Sequence, residues 1–276
     1  MPKSCYPPKI SVISLDIIKP HEEYDDRILD EIQDSFSLGG VVRDPILVDS
    51  SSYMILDGTH RYWALKKLGC QSIPVALYSY MSDSVKIGCW YRCLEICDLK
   101  IYRKGNHSKL ESSENALAAV KNRQANVSVI CKDSARVYTS NGFDIQKAYS
   151  MLSDLEKDYK NRGHRVTFAT ESDSVAMLRS GLTGAILAPP PIWKEEAIHA
   201  AQSGELFPIK STRHILPSRP MGINVPIAWL RLAPAEANEN LKQKLAKASF
   251  SMIPRGSMIR GRRYEEEVYI YEHPNP

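Results

Sequence analysis

The chain lacks a long apolar run. Nowhere in its 276 residues is there a stretch approaching the ~20 apolar residues that cross a bilayer as a helix, so no membrane partner is expected. The opening residues Met1-Pro2-Lys3-Ser4-Cys5-Tyr6-Pro7-Pro8 lack the apolar core of a signal peptide, and the cytoplasm is the expected setting. A surplus of one charge is also missing: 36 basic and 32 acidic residues leave a formal net charge of +4, too balanced for the basic stripe of a nucleic-acid binder. The densest basic stretch, residues 255–263, runs straight into Glu265-Glu266-Glu267. It reads as a solvated segment, with an anion contact as the alternative. No internal repeat and no Walker-type Gly-Lys-Ser/Thr loop is present, so any nucleotide site here is not a P-loop.

The six cysteines form no pair with the two-residue gap that structural zinc and iron–sulfur sites favour. Cys89, Cys93 and Cys97 fall four apart among Trp90, Leu94 and Ile96. That spacing reads as one face of a core helix carrying buried thiols. Disulfides are not expected in a cytoplasmic chain.

What is present is an ordinary globular composition, 43% hydrophobic and 25% charged, sufficient for one large domain or two modest ones. Residues 10–17 alternate apolar and polar like an edge strand. Asp25 or Asp26 caps a helix over residues 27–38, with Ile28, Leu29, Ile32 and Phe36 on one face, and Gly39-Gly40 ends it. Strands follow at residues 45–49, 53–56 and 73–78. The polar, Gly-containing segment 103–115 reads as a linker or loop. Beyond it the pattern predicts helices over 148–159, near 172–180 and over 193–202, with strands at 165–170, 184–188 and 268–271. The expected fold class is α/β, mixed α and β. An N-terminal domain is expected over residues 1–100 and a second α/β domain over residues 101–276.

Three clusters carry the chemistry. Asp57-Gly58-Thr59-His60-Arg61 sits between the apolar run Tyr53-Met54-Ile55-Leu56 and a helix start. An acid, an imidazole and a guanidinium thus share one strand–turn–helix junction, where first-turn amides and the helix dipole favour phosphate. Taken singly, each residue also fits a plain role: a capping Asp, a surface His, a paired Arg. The second cluster is Lys210-Ser211-Thr212-Arg213-His214 after Phe207-Pro208-Ile209; its Arg and hydroxyls suit phosphate or carboxylate, and the plain alternative is a polar loop. The third is Lys19-Pro20-His21-Glu22-Glu23, where a glutamate can serve as general base or simply cap the next helix.

Together these stretches resemble a known family. Residues 10–80 resemble the ParB/sulfiredoxin-type fold. Within it the chain is similar to the free L-serine kinases, which form O-phospho-L-serine for cysteine or siderophore biosynthesis. The matching stretches are Pro20-His21-Glu22, Pro45-Ile46-Leu47-Val48-Asp49, Ile55-Leu56 with the Asp57–Arg61 turn, and Leu206-Phe207-Pro208-Ile209 with the Lys210–His214 cluster and Arg219-Pro220 after it. The resemblance implies phosphoryl transfer from ADP or ATP to free L-serine. Glu22 would be the base, with Glu23 its nearest competitor. Asp57 would be the second catalytic acid and would hold Mg²⁺. Gly58, Thr59, His60 and Arg61 would cradle the nucleotide phosphates, and Ser211, Thr212, Arg213 and His214 would bind the substrate or its phosphate, with the active site in the cleft between the two domains. Family members commonly carry Asp-Gly-His-His-Arg, so Thr59 replaces a histidine. The same residue replaces the sulfiredoxin cysteine, which excludes that thiol chemistry. The alternative is a ParB-like nucleotide- and DNA-binding module, or a metabolite sensor without turnover; the balanced charge and the absence of a helix-turn-helix pattern argue against DNA.

Overall fold

The computed structural model describes residues 7–99 and 107–274. Its first strands bear out the alternation read from the sequence. β1 (Lys9–Ser14) lies at the edge of a four-stranded sheet. α1 (Asp26–Gly39) is capped by Asp25, whose carboxylate accepts the Arg27 N–H at 2.9 Å. Gly40 ends α1 in the left-handed conformation, its N–H donating to the Phe36 carbonyl. β2 (Val41–Val42), β3 (Ile46–Asp49), β4 (Ile55–Asp57), α2 (Thr59–Lys67) and β5 (Ser72–Tyr78) complete this stretch. The sheet order is β1-β5-β3-β4. Only β3 and β5 run parallel.

The next elements are β6 (Lys86–Leu94), β7 (His107–Glu111), α3 (Ser113–Lys121), β8 (Val127–Ile130), β9 (Ala135–Thr139), α4 (Ile145–Asn161), β10 (Val166–Thr170), α5 (Glu171–Ser180), β11 (Ala185–Ala188) and α6 (Lys194–Ser203). Their strands form an antiparallel sheet in the order β10-β6-β11-β8-β9-β7. The buried face of α4, with Ala148, Leu152, Leu155 and Tyr159, keeps the three-to-four spacing seen in the sequence. The chain ends with β12 (Thr212–Ile215), β13 (Ser218–Met221), β14 (Val225–Pro226), α7 (Ile227–Leu230), α8 (Pro234–Ala246), β15 (Ser249–Ile253), β16 (Met258–Ile259), β17 (Arg262–Arg263) and β18 (Glu267–Glu272).

Contacts divide the chain into two units. One joins Met1–Lys86, Ile198–Leu206 and His214–Pro276; the other joins Ile87–Ala197 and Phe207–Arg213. This differs from the single boundary expected at residue 100, because the C-terminal segments fold back onto the N-terminal sheet. β14 pairs with β2, the Val12 N–H donates to Asn238 at 2.9 Å, and the Gln71 N–H donates to the Leu230 carbonyl at 2.8 Å. Ile223, Val225, Leu230 and Leu241 accordingly share one buried cluster with Leu29, Ile46, Ile55 and Leu65.

Two further expectations are corrected. Cys89 and Cys93 lie on a strand, β6, rather than a helix. A spacing of four satisfies both periods, since it is two strand repeats as well as about one helical turn. Both thiols are buried, as expected. Cys97, beyond the strand, is disulfide-bonded to Cys131, where no disulfide was expected. The linker read over 103–115 is only partly inside the described residues, and there it is β7 and the start of α3.

Candidate active site

The junction of β4 and α2 is built by a glycine that nothing else can replace. Gly58 caps α2 at φ +107°. A Cβ there would stand 2.5 Å from Ile46 Cγ2 and 2.8 Å from Arg61 Nη2, too close for any side chain. The tight turn brings Asp57 to the end of β4 and Arg61 into the first turn of α2, where Arg61 donates to the Asp44 carbonyl at 3.2 Å and to Asp57 Oδ2 at 3.4 Å. Asp57 has a second partner, Arg219 on β13, which donates to the same Oδ2. Arg219 in turn donates to Glu266 at 2.6 Å in buried surroundings. Burial works against ionisation of Asp57, but Arg219, Arg61 and, more weakly, Arg262 outweigh it and hold the carboxyl well below the usual carboxylate range. Asp57, Arg61, Arg219, Arg262 and Tyr264 line one polar cleft of about 220 Å³.

His60 faces another way. Its Nε2 accepts the backbone N–H of Asp25 at 3.0 Å, so α2 pins the cap of α1. At the other end of the same loop, the Lys19 N–H donates to the Tyr53 carbonyl and the Ile55 N–H donates to the Lys19 carbonyl, each at 3.0 Å. The segment carrying Glu22 is therefore clamped at both ends to the β4–α2 junction. Within it Glu22 is half-buried, with side-chain exposure of 15%, while Glu23 is exposed. His21 is buried; its Nε2 lies 4.0 Å from Glu22 Oε1 and 3.3 Å from Nε2 of His214. The Tyr80 ring meets His214 edge-on at 5.3 Å. Burial lowers the His21 pKa, against the opposing pull of Glu22.

In the first unit, then, the structure brings Asp57, Gly58 and Arg61 together with Arg219, and Glu22 together with His214 through His21. Thr59 opens α2, half-buried. Ser211, Thr212 and Arg213 belong to the second unit. The Ser211 hydroxyl donates to the Pro208 carbonyl at 2.6 Å and so shapes its own turn. Thr212 is buried. Arg213 lies over Gly88, where an added Cβ would stand 3.5 Å from its guanidinium and 3.1 Å from Glu171.

Two structural anchors were not read from the sequence. Arg92, fully buried on β6, pairs with Glu156 at 2.9 Å and donates to the Lys210 and Ile209 carbonyls at 2.9 and 3.1 Å. It ties down the turn that bears Ser211 and Arg213. Its only sequence signal was a charged residue inside an apolar strand. Arg219 is the other; it appeared as part of a matching motif, but no local pattern linked it to Asp57.

Comparison with known proteins gives the same grouping. Residues 8–87 match the ParB N-terminal domain, which defines the class: a chain built on a ParB-like first domain. An ADP-dependent L-serine kinase of Thermococcus kodakarensis is 26% identical over 222 residues, 79% of this chain and 91% of that protein. An ATP-dependent L-serine kinase of Desulfurococcus mucosus is 28% identical over 247 residues, 84% of this chain and 96% of that protein. A solved free serine kinase in complex with AMP superposes with a TM-score of 0.68 at 24% identity, covering 83% of this chain and 98% of its own, which shows a common fold. In sequence and in fold this chain is similar to the free serine kinases.

Proposed function

We propose that the protein transfers a phosphoryl group from ADP or ATP to the hydroxyl of free L-serine, forming O-phospho-L-serine. The observation that carries the reading is Asp57, kept ionised by two arginines at the N-terminus of α2, beside a clamped loop that presents Glu22. Phosphoryl transfer depends chiefly on positioning and charge neutralisation, and this arrangement supplies both. Glu22 takes the serine hydroxyl proton as the oxygen attacks the terminal phosphorus. The bond from that phosphorus to the bridging oxygen breaks, and its electron pair leaves with the nucleotide. A positioned base of this kind contributes about 10²–10⁴-fold. The half-buried setting of Glu22 favours it over the exposed Glu23. Gly58, Thr59 and Arg61 bind donor phosphate at the helix start. His60 belongs to the same cradle, and its Nε2 accepts the Asp25 N–H and so fixes the ring beside it. Ser211, Thr212, Arg213 and His214 bind the serine carboxylate or the phosphate.

The family also implies Mg²⁺, and the residues fit it. Both arginines that pair with Asp57 engage Oδ2, which leaves Oδ1 for a cation. Among the described residues no group of three or more His, Cys, Asp and Glu converges as a metal cage. One carboxylate oxygen with phosphate oxygens and water is a set Mg²⁺ accepts. Asp57 would hold the ion, which would neutralise donor charge. In this reading the enzyme works in the cytoplasm and its product feeds cysteine or related biosynthesis.

The test is direct. The protein is incubated with L-serine, Mg²⁺ and either ADP or ATP, and O-phosphoserine is measured. No product with either donor overturns the reading. Glu22→Gln should abolish turnover while nucleotide affinity stays near wild type; an active Glu22→Gln beside an inactive Glu23→Gln moves the base to Glu23.

A further inference from the structure

The basic segment at 255–263 is not simply solvated. β16 and β17 pair as a hairpin, with Ile259 opposite Arg262. Through Arg262, and through Tyr264 just beyond, the hairpin lines the cleft that holds Asp57. The charges around this cleft are paired with one exception. Asp44 pairs with Arg260 at 3.6 Å, Asp57 with Arg61 and Arg219, and Glu266 with Arg219. Each acid thus has its arginine. Among the described residues the Arg262 side chain makes no hydrogen bond and no ion pair, acting on Asp57 only at longer range, so the cleft has one guanidinium in excess.

That guanidinium also has an aromatic neighbour. It sits 5.0 Å from the centre of the Tyr264 ring. The same ring lies 5.6 Å from the guanidinium of Arg219, and Tyr264 is only 8% exposed. A fixed aromatic ring beside two arginines limits the rotamers of Arg262 and lowers the entropy lost when it meets a ligand. The free N–H fork of an arginine suits a phosphate oxyanion better than any other common group.

We propose that this cleft is a phosphate subsite for the nucleotide donor, in which Arg262 makes the direct contact and Tyr264 presents it. Arg61 joins Arg262 from the start of α2, and Arg219, committed to Asp57 and Glu266, shapes the floor. The proposal rests on the reading of the Asp57–Arg61 turn as the donor side. It assigns a ligand contact to a hairpin outside the ParB-like residues 8–87.

Titration calorimetry of the full chain with ADP, with ATP and with inorganic pyrophosphate tests it. Arg262→Ala should weaken ADP binding about 10- to 100-fold, the range for a lost hydrogen bond to a charged group. Arg262→Lys should fall between, because it keeps the charge but loses the fork. Arg262→Glu should weaken binding most. Arg262 is exposed on the hairpin, so these variants should fold, which far-UV circular dichroism checks. ADP affinity within twofold of wild type in both Arg262→Ala and Arg262→Glu overturns the proposal, and the kinase reading survives that result if wild type still yields O-phosphoserine. Conversely, an Arg262-dependent ADP affinity in a protein that makes no O-phosphoserine retains the subsite and removes the kinase reading. No nucleotide binding by wild type removes both.

Discussion

A buried imidazole contributes to the acid sensitivity of the first unit. His21 is buried between Glu22 and His214, and desolvation pulls its pKa below the ordinary 6.5. The unfolded chain therefore takes up a proton near pH 6.5 that the folded chain refuses. The sign follows: stability is fully present above pH 6.5 and is lost as the pH falls through the lowered pKa of the folded state. One such group contributes at most about 1.4 kcal/mol per pH unit. Urea denaturation between pH 7.5 and 5.5 should show this loss, and His21→Leu should flatten it. A wild-type curve that is level over this range would contradict the assignment. Asp49 belongs to the same scale at lower pH. Its burial is outweighed by hydrogen bonds from Ser52, Ser51 and the Tyr80 N–H, so its contribution disappears only in stronger acid.

At the scale of elements, the site depends on how α2 holds the loop before α1. One hydrogen bond, from the Asp25 N–H to His60 Nε2, joins the start of α1 to the first turn of α2. His60→Ala should cost about 1 kcal/mol, the usual net value of one such bond. It should also speed amide hydrogen exchange at Asp25; unchanged exchange there means the clamp is not made in solution. Much at this scale was legible beforehand. The Gly39-Gly40 stop and the strand–glycine–helix junction at Asp57 were read correctly, and the cap left open between Asp25 and Asp26 is Asp25, because each follows from a local rule of period or backbone conformation. β6 was misread as a helix because a four-residue cysteine spacing fits both periods. The small strands β13 to β18 were mostly missed, being two to six residues long, and β13 and β14 pair with segments distant in sequence.

At the scale of the molecule, the two units are interleaved in sequence, and the second carries a covalent tie. The Cys97–Cys131 bond spans 34 residues. Closing a loop of that length stabilises by about 3–4 kcal/mol in the chain-entropy account. Thermal melts with and without reductant should differ, and Cys131→Ser should melt like the reduced protein; identical melting temperatures in all three would remove the bond from the stability of this unit. Such bonds persist in oxidising compartments and in intracellular proteins of hyperthermophiles, so the redox state of the purified protein bears directly on the cytoplasmic reading.

The sequence by itself determined the local scaffold: which residues start and stop helices, and which strand–glycine–helix turn carries Asp57. It also determined the motifs by which the family resemblance was seen. Tertiary structure alone decided the partners. Arg219 reaches Asp57 across 162 residues and His214 reaches His21 across 193, and the excess charge of Arg262 appears only once Asp44, Asp57 and Glu266 have each taken an arginine. Periodicity and capping act over a few residues of backbone. Charge pairing depends on distance through space, which a linear pattern does not contain.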